Sequence, residues 1–310
     1  MLAAERRDLL VTRLHRDGKL VARDLAAELN LSEHIVRREL RELAAAGLCK
    51  RVYGGALPVS PASGTSHALR AEIAQESKRR IGVRAAHLVR PGATVILDGD
   101  TTGMAVARAL GPDLHATIIT NSPTAAAALM DHPTVDVLII GGRLHKRYGA
   151  ACGAVAAEAV QGISADLYLL VTAGVHPTEG LTVTDCDEAA LKRMLVRRTA
   201  DTYVLASLEK IGTVAPYTVA GLSEVVGIVT DAPADHPAVQ EFRRQGVNII
   251  AAEALGCALH HFLLEFPQAE RPGTDVRSRG VERHRRHRVR SAAEPDVAYR
   301  RGAVTLPGPG

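Results

Sequence analysis

The chain has 310 residues, 46% hydrophobic and 23% charged, which is the balance of a globular protein large enough for two domains. A disordered or collagen-like chain is excluded, and aromatics at 3% with no Trp leave a core of Ala, Val, Leu and Ile and no base-stacking platform for single strands. No apolar run approaches the roughly 18 residues of a membrane span, and the first residues lack the apolar stretch of a signal peptide, so a cytoplasmic protein is expected.

The net charge of +4 conceals three unlike parts. Residues 1–57 carry 11 Lys and Arg against 8 Asp and Glu, residues 271–310 carry 10 against 4, and the remainder is net acidic. A basic amino-terminal segment can meet DNA phosphates, whereas the acidic middle is no general sink for polyanions. Cys49, Cys152, Cys186 and Cys257 form no C-x-x-C pair, and the close pair His284 and His287 lies in an Arg-rich stretch. A disulfide framework, a metal site and a cofactor are therefore not expected.

Leu9, Leu10 and Leu14 share one side of a helix over residues 3–16, which Asp17-Gly18-Lys19 breaks. A short helix follows over about 22–29. Ser32 is a good N-cap for a third, running to about Ala46 with the apolar stripe Val36, Leu40, Leu43. With that stripe inward, Glu33, His34, Arg37, Arg38 and Arg41 face outward. Such residues can read a major groove from the start of a helix, although on charge alone a solvated helix surface fits better. After Gly47 comes a basic strand pair, Leu48 to Tyr53, closed by Gly54-Gly55 like a wing.

The run Leu31-Ser32 through Arg37-Arg38-Glu39-Leu40, then Leu43, Gly47, Arg51 and Tyr53-Gly54-Gly55-Ala56, resembles the winged helix-turn-helix of the DeoR family of bacterial transcription regulators. The resemblance implies a double-stranded DNA operator, contacted by Ser32, Glu33, His34, Arg37, Arg38, Arg41, Arg51 and Tyr53. The chain departs from the family's usual pattern at Ile35 for Thr, Val36 for Ile, Glu39 for Asp and Tyr53 for His.

Residues 58–71 begin Pro-Val-Ser-Pro-Ala-Ser-Gly and read as a linker. A helix is expected from Glu72 to Val89. Short apolar strands then alternate with helices: 94–97, 117–120, 135–140, 167–171, 203–206, 225–229 and 247–250. That alternation predicts an α/β domain over 72–255 with a mainly parallel sheet covered on both faces. In such sheets ligands bind beyond the carboxyl ends of the strands. There the chain places Asp98-Gly99-Asp100-Thr101-Thr102, Thr120-Asn121-Ser122, Gly141-Gly142-Arg143 and Ser207-Leu208-Glu209-Lys210. Hydroxyls, glycines and amides at helix starts suit an anion, and a nearby Lys or Arg adds charge.

The same order of landmarks resembles the DeoR-family sensor domain, whose fold is related to ribose-5-phosphate isomerase. This implies a small-molecule effector, typically a phosphorylated sugar, at Asp98, Asp100, Thr101, Thr102, Asn121, Arg143, Lys192 and Lys210, and a homodimer or homotetramer. The family's usual loop, Asp-Ser-Gly-Thr-Thr, is here Asp98-Gly99-Asp100-Thr101-Thr102, and two neighbouring carboxylates repel a phosphate unless Lys210, Lys192 or Arg143 compensates. A neutral or amino-bearing polyol is the alternative ligand. A sugar isomerase using Asp98, Asp166, Glu188 and Lys192 as acid, base and stabiliser is the alternative function. Residues 267–310 lose apolar periodicity, carry Arg283 to Arg290 as a basic block, and are expected to be a disordered tail.

Overall fold

The computed structural model describes residues 3–61 and 65–253, so the basic tail expected over 267–310 lies outside the described residues. The amino-terminal part comprises α1 (Ala3–Asp17), β1 (Leu20–Val21), α2 (Ala22–Glu28), α3 (Glu33–Ala45), β2 (Cys49–Val52) and β3 (Gly55–Pro58). Leu10, Leu14, Leu25, Val36, Leu40 and Leu43 meet in one buried cluster, which is why the leucine spacing dictates three packed helices. The strand β1, missed in the sequence because it has only two residues, pairs with β3 and completes an antiparallel sheet in the order β1-β3-β2. Gly55 is obligatory in that sheet, since a Cβ there would lie 1.8 Å from the Leu20 carbonyl oxygen.

The stretch read as a linker is engaged at both ends. Pro58 and Ser60 exchange backbone hydrogen bonds with Val214, and residues 67–72 form a helix, α4 (His67–Glu72). The helix expected over 72–89 is α5 (Gln75–Ala86), separated from α4 by a break at Ala74, where φ is +50°. The buried Lys78 ammonium spans the break: it donates to the Arg70 carbonyl, which also accepts from the Ile73 amide at 3.3 Å, and so ties α5 to the end of α4.

The larger part continues with β4 (Thr94–Leu97), α6 (Asp100–Ala109), β5 (Ala116–Thr120), α7 (Pro123–Ala128), β6 (Val135–Ile139), the hairpin β7 (Arg143–His145) and β8 (Ala150–Cys152), and α8 (Ala154–Gln161). Then follow β9 (Ala165–Val171), β10 (Gly174–His176), β11 (Gly180–Val183), α9 (Cys186–Arg197), β12 (Thr199–Leu205), β13 (Tyr217–Ala220), β14 (Gly227–Thr230), α10 (Pro237–Arg244) and β15 (Asn248–Ala251). Seven of these strands make one sheet in the order β15-β14-β12-β9-β4-β5-β6, with every pair parallel.

Alternation along the central strands feeds two cores. Val95, Leu97, Leu167, Leu169 and Val171 face α5 and α6, while Ile96, Tyr168 and Leu170 face α8, α9 and α10. All seven expected strands are present. The additions are the β7–β8 hairpin and a small antiparallel sheet, β10-β11-β13, whose strands of three or four residues offer too little pattern to read. The chain order reverses between β4 and β9, so the crevice at their carboxyl ends is the topological switch point.

The helices α5 and α6 approach closely at Gly82, where a Cβ would lie 2.7 Å from the Ala105 carbonyl carbon. Gly82→Ala should therefore destabilise the protein by roughly 1–2 kcal/mol net, overpacking outweighing the ~1 kcal/mol gain in helix propensity. Urea denaturation checks this: a lower midpoint with an unchanged slope is expected.

Candidate functional site

The exposed face of α3 carries the residues expected to meet DNA. The Ser32 hydroxyl caps the helix by accepting from the Ile35 amide at 3.4 Å. His34, Arg37, Arg38 and Arg41 are exposed, Glu33 is half-buried, and Val36, Leu40 and Leu43 face the core. The wing presents Arg51 and Tyr53, the latter fully exposed at the tip beside Gly54, whose φ is +81°. Arg37 pairs with Glu33 at 2.6 Å and Arg38 with Glu42 at 3.9 Å, both as exposed i,i+4 pairs that phosphates can outcompete at little cost. Glu39 is buried on the other side and accepts from the Arg6 Nε at 2.6 Å, tying α3 to α1. Its role is structural, which the sequence did not disclose.

The second site fills the switch-point crevice. Asp98, 2% exposed, accepts from the Gly99 and Val171 amides at 2.9 Å each and from the Lys192 ammonium at 2.7 Å. Lys192 also donates to Glu188 at 2.9 Å and to the Val171 carbonyl. Burial disfavours the Lys192 charge, but Asp98 and Glu188 outweigh it and hold the group above the ordinary lysine range. Burial likewise raises the Glu188 carboxyl, with Lys192 opposing. Both Asp98 and Lys192, expected as ligand contacts, are thus engaged in fixing β4, β9 and α9 to one another.

Asp100 opens α6 with φ at +79°. Its Oδ1 accepts from the Thr101 amide at 2.8 Å and from Arg70 Nε at 3.2 Å. Burial opposes ionisation, and Lys210 and Arg70 overcome it, holding the carboxyl below its usual range. Arg70 lies in α4, inside the stretch read as a linker. Its other nitrogens donate to the carbonyls of Thr65 and Arg147 at 2.9 Å each. Lys210 is buried, and desolvation lowers its pKa despite Asp100 and Glu209. Burial and the neighbouring Lys210 push Lys78 down to about 8. The Thr101 and Thr102 hydroxyls are buried without a hydrogen-bond partner among the described residues.

Asn121 lies beside this loop, its amide donating to the Ala151 carbonyl at 3.0 Å. The opposite wall is Tyr148, stacked on His145 at 4.1 Å and donating to Asp185 at 3.1 Å, which in turn caps α9. Asp98, Asp100, Asn121, Tyr148, Glu188 and Lys192 surround a cavity of about 10 Å³, room for roughly one water, so a sugar must displace side chains to enter.

Two expectations are corrected. Arg143 is exposed and paired with Asp187 at 3.5 Å, so Arg70 rather than Arg143 neutralises Asp100. Asp166, proposed as an isomerase group, accepts from the Thr94 amide at 2.8 Å at the amino ends of β9 and β4, the opposite edge of the sheet. Arg70, Lys78 and Tyr148 were missed. Arg70 falls in the stretch read as a linker and Lys78 in the helix expected over 72–89, and neither position signals the burial that the structure gives both side chains.

Residues 6–62 match the model of the DeoR-like helix-turn-helix domain, and residues 73–232 match that of the DeoR C-terminal sensor domain. The chain belongs to the DeoR family of transcription regulators. It is 33% identical over 252 residues to the HTH-type transcriptional regulator GlpR of Haloferax volcanii, covering 81% of this chain and 98% of that protein. It is 27% identical over 233 residues to the glycerol-3-phosphate regulon repressor of Escherichia coli, covering 75% and 92%. A ribose 5-phosphate isomerase A from Methanocaldococcus jannaschii aligns with 44% of this chain and 54% of its own at 15% identity and a TM-score of 0.33. In this DeoR-family chain the helix-turn-helix domain precedes the sensor domain.

Two outcomes are expected. Arg37→Ala should leave the fold intact and, if Arg37 meets a phosphate, lower the slope of log affinity against log salt by about 1; operator binding at several salt concentrations measures it. Lys78 has a folded-state pKa near 8, below the ordinary 10.5, so folding disfavours its protonated form. That penalty is constant below pH 8 and is relieved as pH rises towards 10.5. The melting temperature of the wild type relative to Lys78→Met should be level below pH 8 and rise between pH 8 and 10.5.

Proposed function

We propose that this protein is a repressor of a carbohydrate-catabolic operon that acts in the cytoplasm as a homodimer or homotetramer and is released from its operator by a sugar-derived effector. The observation that carries the reading is the path from crevice to DNA-binding part. Arg70 contacts Asp100 in the crevice and Thr65 in the connecting segment, while Ser60 and Lys50 bond the backbone of the sensor at Val214 and Ala215. An effector that rearranges the Asp100 loop changes what Arg70 holds, and so how the recognition helix is presented. Coupling follows if the ligand binds the two arrangements with different affinity. A two-fold operator needs two recognition helices, which supports self-association.

The remote position of Asp166 and the engagement of Asp98 and Lys192 favour regulation over isomerisation, and a name such as glycerol-3-phosphate regulon repressor among the relatives supports a carbohydrate context. The test is an operator-binding titration repeated across a panel of sugars and sugar phosphates. Lys210→Ala should keep operator affinity while raising the effector concentration for half-release about tenfold or more, the size of one lost charge contact. Unchanged release by Lys210→Ala and by Asn121→Ala would move the effector site elsewhere.

A further inference from the structure

We propose that Asp100 sets the chemical class of the effector: its carboxylate occupies the anion-binding position at the start of α6, so the crevice takes a hydroxyl-rich sugar or polyol without a phosphate. The inference rests on the crevice being the effector site and narrows what that site accepts.

The first support is the conformation of Asp100. At φ +79° it occupies the left-handed region, which glycine enters freely and other residues at a cost. What holds it there is the pair of bonds from the Thr101 amide at 2.8 Å and Arg70 Nε at 3.2 Å. An amide at a helix start and a guanidinium are the donors that a phosphate oxygen takes, and here a side chain of the protein already takes them. The unpartnered hydroxyls of Thr101 and Thr102 belong to the same turn.

The second support is Gly99. A Cβ there would lie 2.8 Å from the Ala150 Cβ and 3.4 Å from the Ser122 Cβ, so the loop lies tight against β8. Relative to the usual Asp-Ser-Gly-Thr-Thr, glycine has moved one residue earlier and an acidic residue holds the left-handed position. Both changes belong to one rebuilt loop.

The third support is the charge of the cavity wall. It contains the carboxylates of Asp98, Asp100 and Glu188 and one ammonium, Lys192, already shared between Asp98 and Glu188. Arg70 and Lys210 are in turn matched by Asp100, so a phosphate monoester, at about −1.5 to −2 near neutral pH, would meet no uncompensated cation there. Sugar hydroxyls instead donate to carboxylates, as neutral partners of charged acceptors. Without Asp100, Arg70 and Lys210 would offer two cations beside the Thr101 amide.

Calorimetric titration of the full chain with inorganic phosphate tests the cradle directly. The wild type should show no saturable binding at millimolar phosphate, Asp100→Gly should gain about tenfold or more in affinity, and Asp100→Asn should fall between them. Asp100→Asn retains an acceptor for Arg70 and Thr101 while removing the charge, so it reports even if Asp100→Gly melts early. Wild-type binding as tight as that of Asp100→Gly, or no gain in either variant, would overturn the proposal. Operator release by ribose and ribose 5-phosphate, compared in wild type and Asp100→Gly, should show the ester gaining ground only in the variant. Release of the wild type by the ester at lower concentration than by the sugar would overturn the ligand class yet leave the crevice as the site. Failure of the site itself is read separately, from unaltered release in Asn121→Ala.

Discussion

Asp98 accepts hydrogen bonds from two backbone amides and one ammonium, and through them a single buried carboxylate fixes the ends of β4 and β9 to α9. Buried charge of this kind is tolerable only when every partner is in place. Removing one member of such a pair typically costs about 3–5 kcal/mol, because the other is left uncompensated away from water. Lys192 meets that condition with three acceptors, Asp98, Glu188 and the Val171 carbonyl. The network lies at the point where the strand order reverses, so the crevice has a rigid floor and its variable parts are the walls.

The walls are where this chain is individual. Arg70, Lys78 and Lys210 converge on Asp100 from α4, α5 and the loop after β12, and burial first, with neighbouring cations second, lowers the pKa of both lysines. Asp100 is the anion that makes their proximity bearable. The charges around Asp100 are therefore already matched within the chain.

The DNA-binding part is tied to the sensor domain because the connecting segment is bonded to it. Ser60 pairs with Val214, Lys50 donates to Ala215, and Arg70 holds Thr65 and Arg147 together with Asp100. A cleft of about 620 Å³ remains between the two parts, lined by Leu48, Lys50, Pro61, Arg147 and Pro216 among others. The helix α3 itself is anchored within the amino-terminal part, by its leucine stripe and by Glu39 on Arg6.

The sequence by itself determined the parts governed by local periodicity. The leucine stripe of α3 and its Ser32 cap fix which arginines face outward, and short apolar runs alternating with helical segments mark the seven parallel strands, because both patterns act within a few residues. It also determined that the polar loops after those strands meet at one edge, since parallel strands bring their carboxyl ends together. Tertiary structure alone decided the partners within that edge. Arg70 and Asp100 are 30 residues apart and meet where α4 packs on α6, while Asp166 goes to the far edge and Arg143 to the surface. Charge pairing is set by through-space distance and burial, and neither is written in the spacing of residues along the chain.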